Sequence, residues 1–157
     1  MGGHRRFIVS QNNNIPRIRK NLRDLCAMQG GAFPTPVALA AAQPETLRAL
    51  GLGYRAEYLC AAGAHFTQAD ALDALRAMSY PEAHTALRAV KGVGPKVADC
   101  ICLFGLHHVD AFPVDTLVKQ ILSAHYPRLP SALRGLCGHF AAVYVLLRPA
   151  RQRAGRP

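Results

Sequence analysis

The stretch that decides the fold runs Leu87-Arg88-Ala89-Val90-Lys91-Gly92-Val93-Gly94-Pro95-Lys96-Val97-Ala98-Asp99-Cys100. Just upstream, Pro81 suits the first turn of a helix that points Ala83, Ala86, Leu87 and Val90 inward. Gly92 and Gly94 interrupt it, and Pro95 opens a second, strongly apolar helix carrying Val97, Ala98, Ile101, Cys102 and Gly105. Glycine reaches backbone conformations closed to other residues, and lets a turn approach another molecule with no side chain between. The free N–H groups of the turn and of the second helix's first turn then form an anion site. A helix–hairpin–helix over about residues 82–107 is the expectation; an ordinary helix connector is the competing reading.

Outward from the hairpin, the pattern stays helical. Ile15, Ile18, Leu22, Leu25 and Cys26 recur at helical spacing, and Gly30-Gly31 ends that helix. Short helices follow over Val37 to Ala42 and Glu45 to Leu50, the second stopped at Gly51. Tyr54 to Gly63 and Asp70 to Met78 supply two more, and Asp115 reads as the N-cap of a helix carrying Leu117, Val118, Ile121 and Leu122. A last helix is expected over about Ser131 to Leu147. No alternating segment is long enough for a strand, so the expected class is all-α, with eight or nine short helices and no repeat.

The chain has 157 residues, the length of one domain, and half of them are hydrophobic, which excludes a disordered polycation. The expected division is a helical domain over 1–148 and a basic flexible tail over 149–157 beside Arg148. The longest apolar run, 141–147, is far too short to span a membrane, and Phe7-Ile8-Val9 is no signal-peptide core. A cytoplasmic protein is expected, nucleoid-associated if bacterial. Cys26, Cys60, Cys100, Cys102 and Cys137 are odd in number, with no C-x-x-C spacing, which points to reduced thiols rather than a disulfide or metal framework. His107-His108 point in different directions on a helix and read as a polar helix end, so no metal is expected. Nineteen Lys and Arg against nine Asp and Glu give a net charge of +10, which favours a polyphosphate partner through counterion release.

Lys96 is the second residue of the hairpin's second helix, where it reads as a nucleophilic amine beside the anion site or as an ordinary solvated surface charge. Asp115, 19 residues on, is a plain N-cap, a carboxylate able to stabilise a developing cationic sugar, or both. Val93-Gly94-Pro95-Lys96-Val97-Ala98-Asp99-Cys100 with Pro113-Val114-Asp115 resembles the catalytic segment of the helix–hairpin–helix DNA glycosylases, in particular the 8-oxoguanine DNA glycosylase/AP lyases. Ser10-Gln11-Asn12-Asn13-Asn14-Ile15-Pro16-Arg17-Ile18 and Gly51-Leu52-Gly53-Tyr54-Arg55-Ala56 agree, and the similarity runs from about Phe7 to about Leu122. The resemblance implies two small helical subdomains flanking a DNA-binding cleft, and repair of 8-oxoguanine opposite cytosine. In that family a lysine attacks the sugar, releases the base as a Schiff base forms, and nicks the strand by β-elimination. It assigns Lys96 as nucleophile, Asp115 as its partner, and Cys100 to the base pocket. Asn12, Arg17 and Arg55 would contact the orphaned cytosine, Tyr54 would wedge into the gap, and Gly92 and Gly94 would meet the DNA backbone. For Asn12 to Asn14 a polar helix cap is the competing reading, and for Tyr54-Arg55 a surface turn. The implied partner is duplex DNA with a damaged base or abasic site, bound by a monomer. No cofactor is expected beyond a monovalent cation at the hairpin backbone.

Three departures accompany the resemblance. The family carries a β-rich N-terminal domain before the asparagine block, which here starts at Ser10, so that domain is expected to be lacking and residues 1–9 to be a stub. Val145 stands where a base-reading glutamine is expected, and Leu117 where some relatives place a histidine. A fragment of a longer frame, or a minimal glycosylase with relaxed base choice, would fit these departures. A hairpin that binds DNA without catalysis is the rival from another class, disfavoured by Lys96 and Asp115 together. An alkylated-base glycosylase is the enzymatic rival, disfavoured by Lys96.

Overall fold

The computed structural model describes residues 3–68 and 70–125. Among them are the helices α1 Gly3–Ser10, α2 Ile15–Ala27, α3 Pro36–Ala41, α4 Pro44–Leu47, α5 Arg55–His65, α6 Ala71–Ala77, α7 Tyr80–Arg88, α8 Pro95–Gly105 and α9 Thr116–His125. There is no strand among the described residues. The chain divides into two units, Met1–Pro113 and Val114–Pro157. The expected helix over 131–147, Cys137, Val145 and the 149–157 tail lie outside the described residues.

The helix starts follow from local chemistry. The Asn14 side chain accepts the Arg17 N–H at 2.9 Å and caps α2, and Thr35 caps α3 through the Ala38 N–H at 3.1 Å. At α7 the Ser79 N–H donates to the Glu82 carboxylate at 2.9 Å, closing a capping box. Gly30 and Gly31, at φ +63° and +99°, reverse the chain after α2, with the Gly31 N–H donating to the Cys26 carbonyl at 2.9 Å.

Within the first unit one core runs through α1, α5, α7 and α8, built on Ile8, Val9, Leu59, Leu87, Ala98, Ile101 and Cys102. Helix α1 is docked in this core. Ile8 and Val9 are 1% and 0% exposed, and α1 packs on α2, α5 and α8. Burying two such side chains fully contributes about 3–6 kcal/mol, ample to hold an eight-residue helix that would not form alone. Helices α3 and α5 touch at Gly63, where an added Cβ would lie 2.6 Å from the Ala40 nitrogen and 2.8 Å from the Pro36 oxygen.

The helix expected over Glu45 to Leu50 forms as α4 continued by a wider helical turn over Arg48–Leu52, and Gly51 at φ +81° breaks it as expected. One expectation fails locally. Ile15, placed on the apolar face of α2, is 66% exposed, while Asn21 on the same helix is buried at 1%. Asn21 holds that position by donating to the Leu50 carbonyl at 2.9 Å, which satisfies the amide in the core.

Candidate functional site

The hairpin forms as its glycines and prolines dictate. Helix α7 ends at Arg88, the Val93 N–H donates to the Val90 carbonyl at 3.0 Å, and α8 starts at Pro95. Gly92 sits at φ +87°, a conformation that favours glycine, and a Cβ there would lie 2.1 Å from Cγ of Tyr58. The fold itself demands this glycine. Gly94 is different: its φ is −81°, it is exposed, and a Cβ would meet nothing within 4 Å. Lys96 is exposed in the first turn of α8, one turn before Cys100, which is 5% exposed. No hydrogen bond among the described residues takes the N–H of Gly94, Lys96 or Val97, as a helix start requires of an anion site.

The other two blocks gather onto this hairpin. The Gln11 side chain donates to the Gly92 carbonyl at 2.8 Å, and Lys91 pairs with Glu57 of α5 at 3.0 Å. Glu57 also pairs with Arg48, and Lys91 and Arg48 together hold its carboxyl below the usual range. Arg55 is 3% exposed. Its guanidinium donates to the Gln11 carbonyl from Nε at 2.8 Å, to the Asn12 carbonyl at 2.7 Å and to the Leu52 carbonyl at 3.4 Å. Arg17 is exposed and donates to the Gly51 carbonyl at 2.9 Å. The Arg55 guanidinium lies over the Tyr54 ring at 4.6 Å, and Tyr54, 46% exposed, packs edge-on against Tyr58. Asn12, Arg17, Tyr54 and Arg55, from two blocks some 40 residues apart, are thus one cluster, linked through Gln11 and Tyr58 to Gly92.

The polar-cap reading of the asparagine block holds for Asn14 but not for its neighbours. Asn13 donates to the Val9 carbonyl at 3.0 Å, and Asn12 is exposed at φ +43°, a bend that asparagine tolerates better than most residues. Gln11 and Asn21 escape sequence reading, since only their tertiary partners reveal what they do. In the second unit, the Asp115 carboxylate accepts the Val118 N–H at 2.9 Å and caps α9, as its sequence position suggests.

Behind the hairpin, α7 and α8 are joined by a half-buried polar contact. The Tyr80 hydroxyl donates to Asp99 at 2.8 Å, with His84 Nε2 at 3.4 Å from the same oxygen. Burial pushes the Asp99 carboxyl above its ordinary value of 3.8, against the hydrogen bond from Tyr80 and the field of His84. Burial likewise raises the Tyr80 hydroxyl, and the Cys102 thiol to about 11. A carboxyl whose folded pKa is raised stabilises the fold most when protonated, and that contribution is lost as pH rises through the raised value. Melts of wild type and Asp99→Asn, from about pH 3.5 to about pH 7, are expected to show this as a difference: wild type loses ground to the variant as pH rises. Parallel curves would remove Asp99 from the pH response.

His107 lies beyond the end of α8 at φ +65°. No group of three or more His, Cys, Asp or Glu among the described residues is arranged to hold a metal ion. No helix among them is long and apolar enough to cross a membrane.

The N-glycosylase/DNA lyase of Saccharomyces cerevisiae is 37% identical over an alignment covering 76% of this chain and 38% of that protein. The chain spans little more than a third of the length of this relative and of its Arabidopsis thaliana counterpart. Among solved structures, the Clostridium acetobutylicum 8-oxoguanine glycosylase/lyase in its apo-form superposes with a TM-score of 0.78 at 30% identity, covering 91% of this chain and 57% of that one. The same enzyme in complex with dsDNA containing cytosine opposite to 8-oxoG gives 0.74 at 30% identity, over 88% and 52%. The profile described as "HhH-GPD superfamily base excision DNA repair protein" matches residues 6–131, which takes in the asparagine loop, the Tyr54 turn and the hairpin alike. It is to this superfamily of helix–hairpin–helix base-excision repair proteins that the chain belongs.

Proposed function

We propose that the chain is a DNA glycosylase/AP lyase acting on oxidised purine, 8-oxoguanine opposite cytosine, in duplex DNA. The observation that carries this reading is the convergence of an exposed Lys96 hairpin with the Asn12 and Tyr54 blocks. Hydrogen bonds spanning 34 to 81 residues hold the three together. In this reading the helix start at Gly94–Val97 takes a backbone phosphate. Gly94, which the fold does not require to be glycine, lets that phosphate approach. The damaged nucleotide swings out at a cost of a few kcal/mol, and Tyr54 fills the gap it leaves. Asn12 and Arg17 present amide and guanidinium donors to the orphaned cytosine. Arg55, engaged by the loop's carbonyls, supports them by fixing the loop's shape.

The Lys96 amine, in its neutral form, bonds to C1′ as the bond from C1′ to the base breaks and the base leaves with a proton. The C1′–O4′ bond then breaks, O4′ takes a proton to become a hydroxyl, and the protonated imine that results acidifies the C2′ proton. Water takes that proton as the C3′–O bond breaks, and β-elimination expels the 3′ phosphate. Asp115 is the assigned carboxylate partner, stabilising positive charge on the sugar. Cys100 is assigned to the base pocket. A monovalent cation at the hairpin backbone fits in part. The Lys91 and Val93 carbonyls accept no hydrogen bond among the described residues, whereas the Gly92 and Val90 carbonyls are taken by Gln11 and by the Val93 N–H. A monomer working on cytoplasmic or nucleoid DNA completes the reading.

Borohydride trapping on duplexes carrying 8-oxoguanine opposite cytosine, or an abasic site, is the test. Adduct on both is expected, faster with the abasic site, which needs no base pocket. Adduct on the abasic duplex alone would reduce the activity to a lyase. A folded chain that binds duplex and gives no adduct would be a binding module.

A further inference from the structure

We propose that Gln11 is a positioning residue that couples the loop facing the orphaned base to the hairpin that aims Lys96; this rests on the functional reading above. Gln11 faces two ways. Its backbone carbonyl accepts from Nε and Nη2 of Arg55, the guanidinium that also holds the Asn12 carbonyl. Its side-chain amide donates to the Gly92 carbonyl at 2.8 Å, 81 residues away. A carbonyl can only accept, so the amide nitrogen is the atom that faces it.

That bond acts on one peptide plane. The Gly92 carbonyl is held by Gln11, and the Val93 N–H of the same peptide by the Val90 carbonyl at 3.0 Å. With both ends fixed, the Gly92–Val93 plane cannot rotate, and Gly94, Pro95 and Lys96 follow from it. Glycine at φ +87° offers little torsional resistance of its own, so the orientation depends on these two bonds and on the Tyr58 ring against Gly92. The ring gives a second link, because Tyr58 packs edge-on against Tyr54. A displacement of the Asn12 loop on meeting the opposite base therefore moves the Gln11 amide, and with it the turn before Lys96. The loop reads the base and the hairpin executes; Gln11 joins them.

This arrangement predicts a split between binding and rate. Gln11→Met keeps the length of the side chain and removes the donor. Anisotropy with a tetrahydrofuran abasic analogue opposite cytosine or adenine reports what the loop reads, with no chemistry involved. Single-turnover trapping on true abasic sites opposite the same two bases reports how Lys96 is aimed. In wild type both favour cytosine. In Gln11→Met the affinity preference is expected to persist while the rate preference falls about fivefold, the scale of one hydrogen bond. Gln11→Glu, which sets an acceptor against the Gly92 carbonyl, falls at least as far. The Asn12→Ala substitution is expected to slow trapping less in the Gln11→Met background than in wild type, since the route it acts through is already cut.

A rate preference that survives in Gln11→Met overturns the coupling and leaves the functional reading intact. So does a wild-type rate indifferent to the opposite base, and so do affinity and rate preferences that fall together, which mark Gln11 as merely structural. No adduct from wild type on any duplex overturns the functional reading and the coupling with it.

Discussion

Lys96→Gln leaves no borohydride-trapped adduct on an abasic duplex, while affinity for that duplex changes less than about threefold. The amine is the only part of the side chain that can form an imine, and a glutamine amide is neutral and non-nucleophilic. Removing a covalent nucleophile costs orders of magnitude in rate, so the trapped band should vanish rather than weaken. Binding survives because Lys96 is exposed and sits on no buried contact, and the N–H groups at the start of α8 remain. If Lys96 also neutralises a phosphate, the slope of log affinity against log salt falls by about 0.9. Denaturing gels of the trapped species and anisotropy titrations at two salt concentrations measure both. An adduct persisting at the wild-type level would take the nucleophile's role away from Lys96.

Arg55→Met destabilises the fold by about 3 kcal/mol, a fall in melting midpoint of roughly 10 °C. The guanidinium is 3% exposed and donates to the carbonyls of Gln11, Asn12 and Leu52. Methionine fills much of the space but leaves those carbonyls without partners, at about 1 kcal/mol or more each. Arg55→Lys recovers only part of the loss, since one ammonium cannot reproduce the planar fork that spans three acceptors. A melting midpoint unchanged in Arg55→Met would mean that the residue serves DNA contact alone, as its place in the Tyr54 block first suggests.

The hairpin was legible because its signals are local. Gly92, Gly94 and Pro95 punctuate the chain within four residues, and the apolar spacing on either side has a helical period. The same holds for Asp115 at the start of α9 and for the end of α2 at Gly30-Gly31. The failures have one cause. Helix α1 carries too few residues to display a period, and its stability comes from α2, α5 and α8 packed around Ile8 and Val9. Asn21 and Arg55 look like surface residues until the chain returns, 29 residues later in one case and 44 earlier in the other, with carbonyls that satisfy them. The candidate site divides the same way. Its residue types stand in the sequence in three blocks, but what joins the blocks is Gln11, which no spacing rule singles out.

The span of the Gln11–Gly92 bond bears on the order in which the chain acquires its shape. Helices α7 and α8 are neighbours in sequence and can pair with little loop entropy, whereas fixing the turn between them requires Gln11, just past α1, to arrive from 81 residues away. On a ribosome, α1 and Gln11 emerge before the hairpin, and α1 lacks most of its docking surface until α5 and α8 have followed it. A segment synthesised well before the hairpin is the one that finishes it.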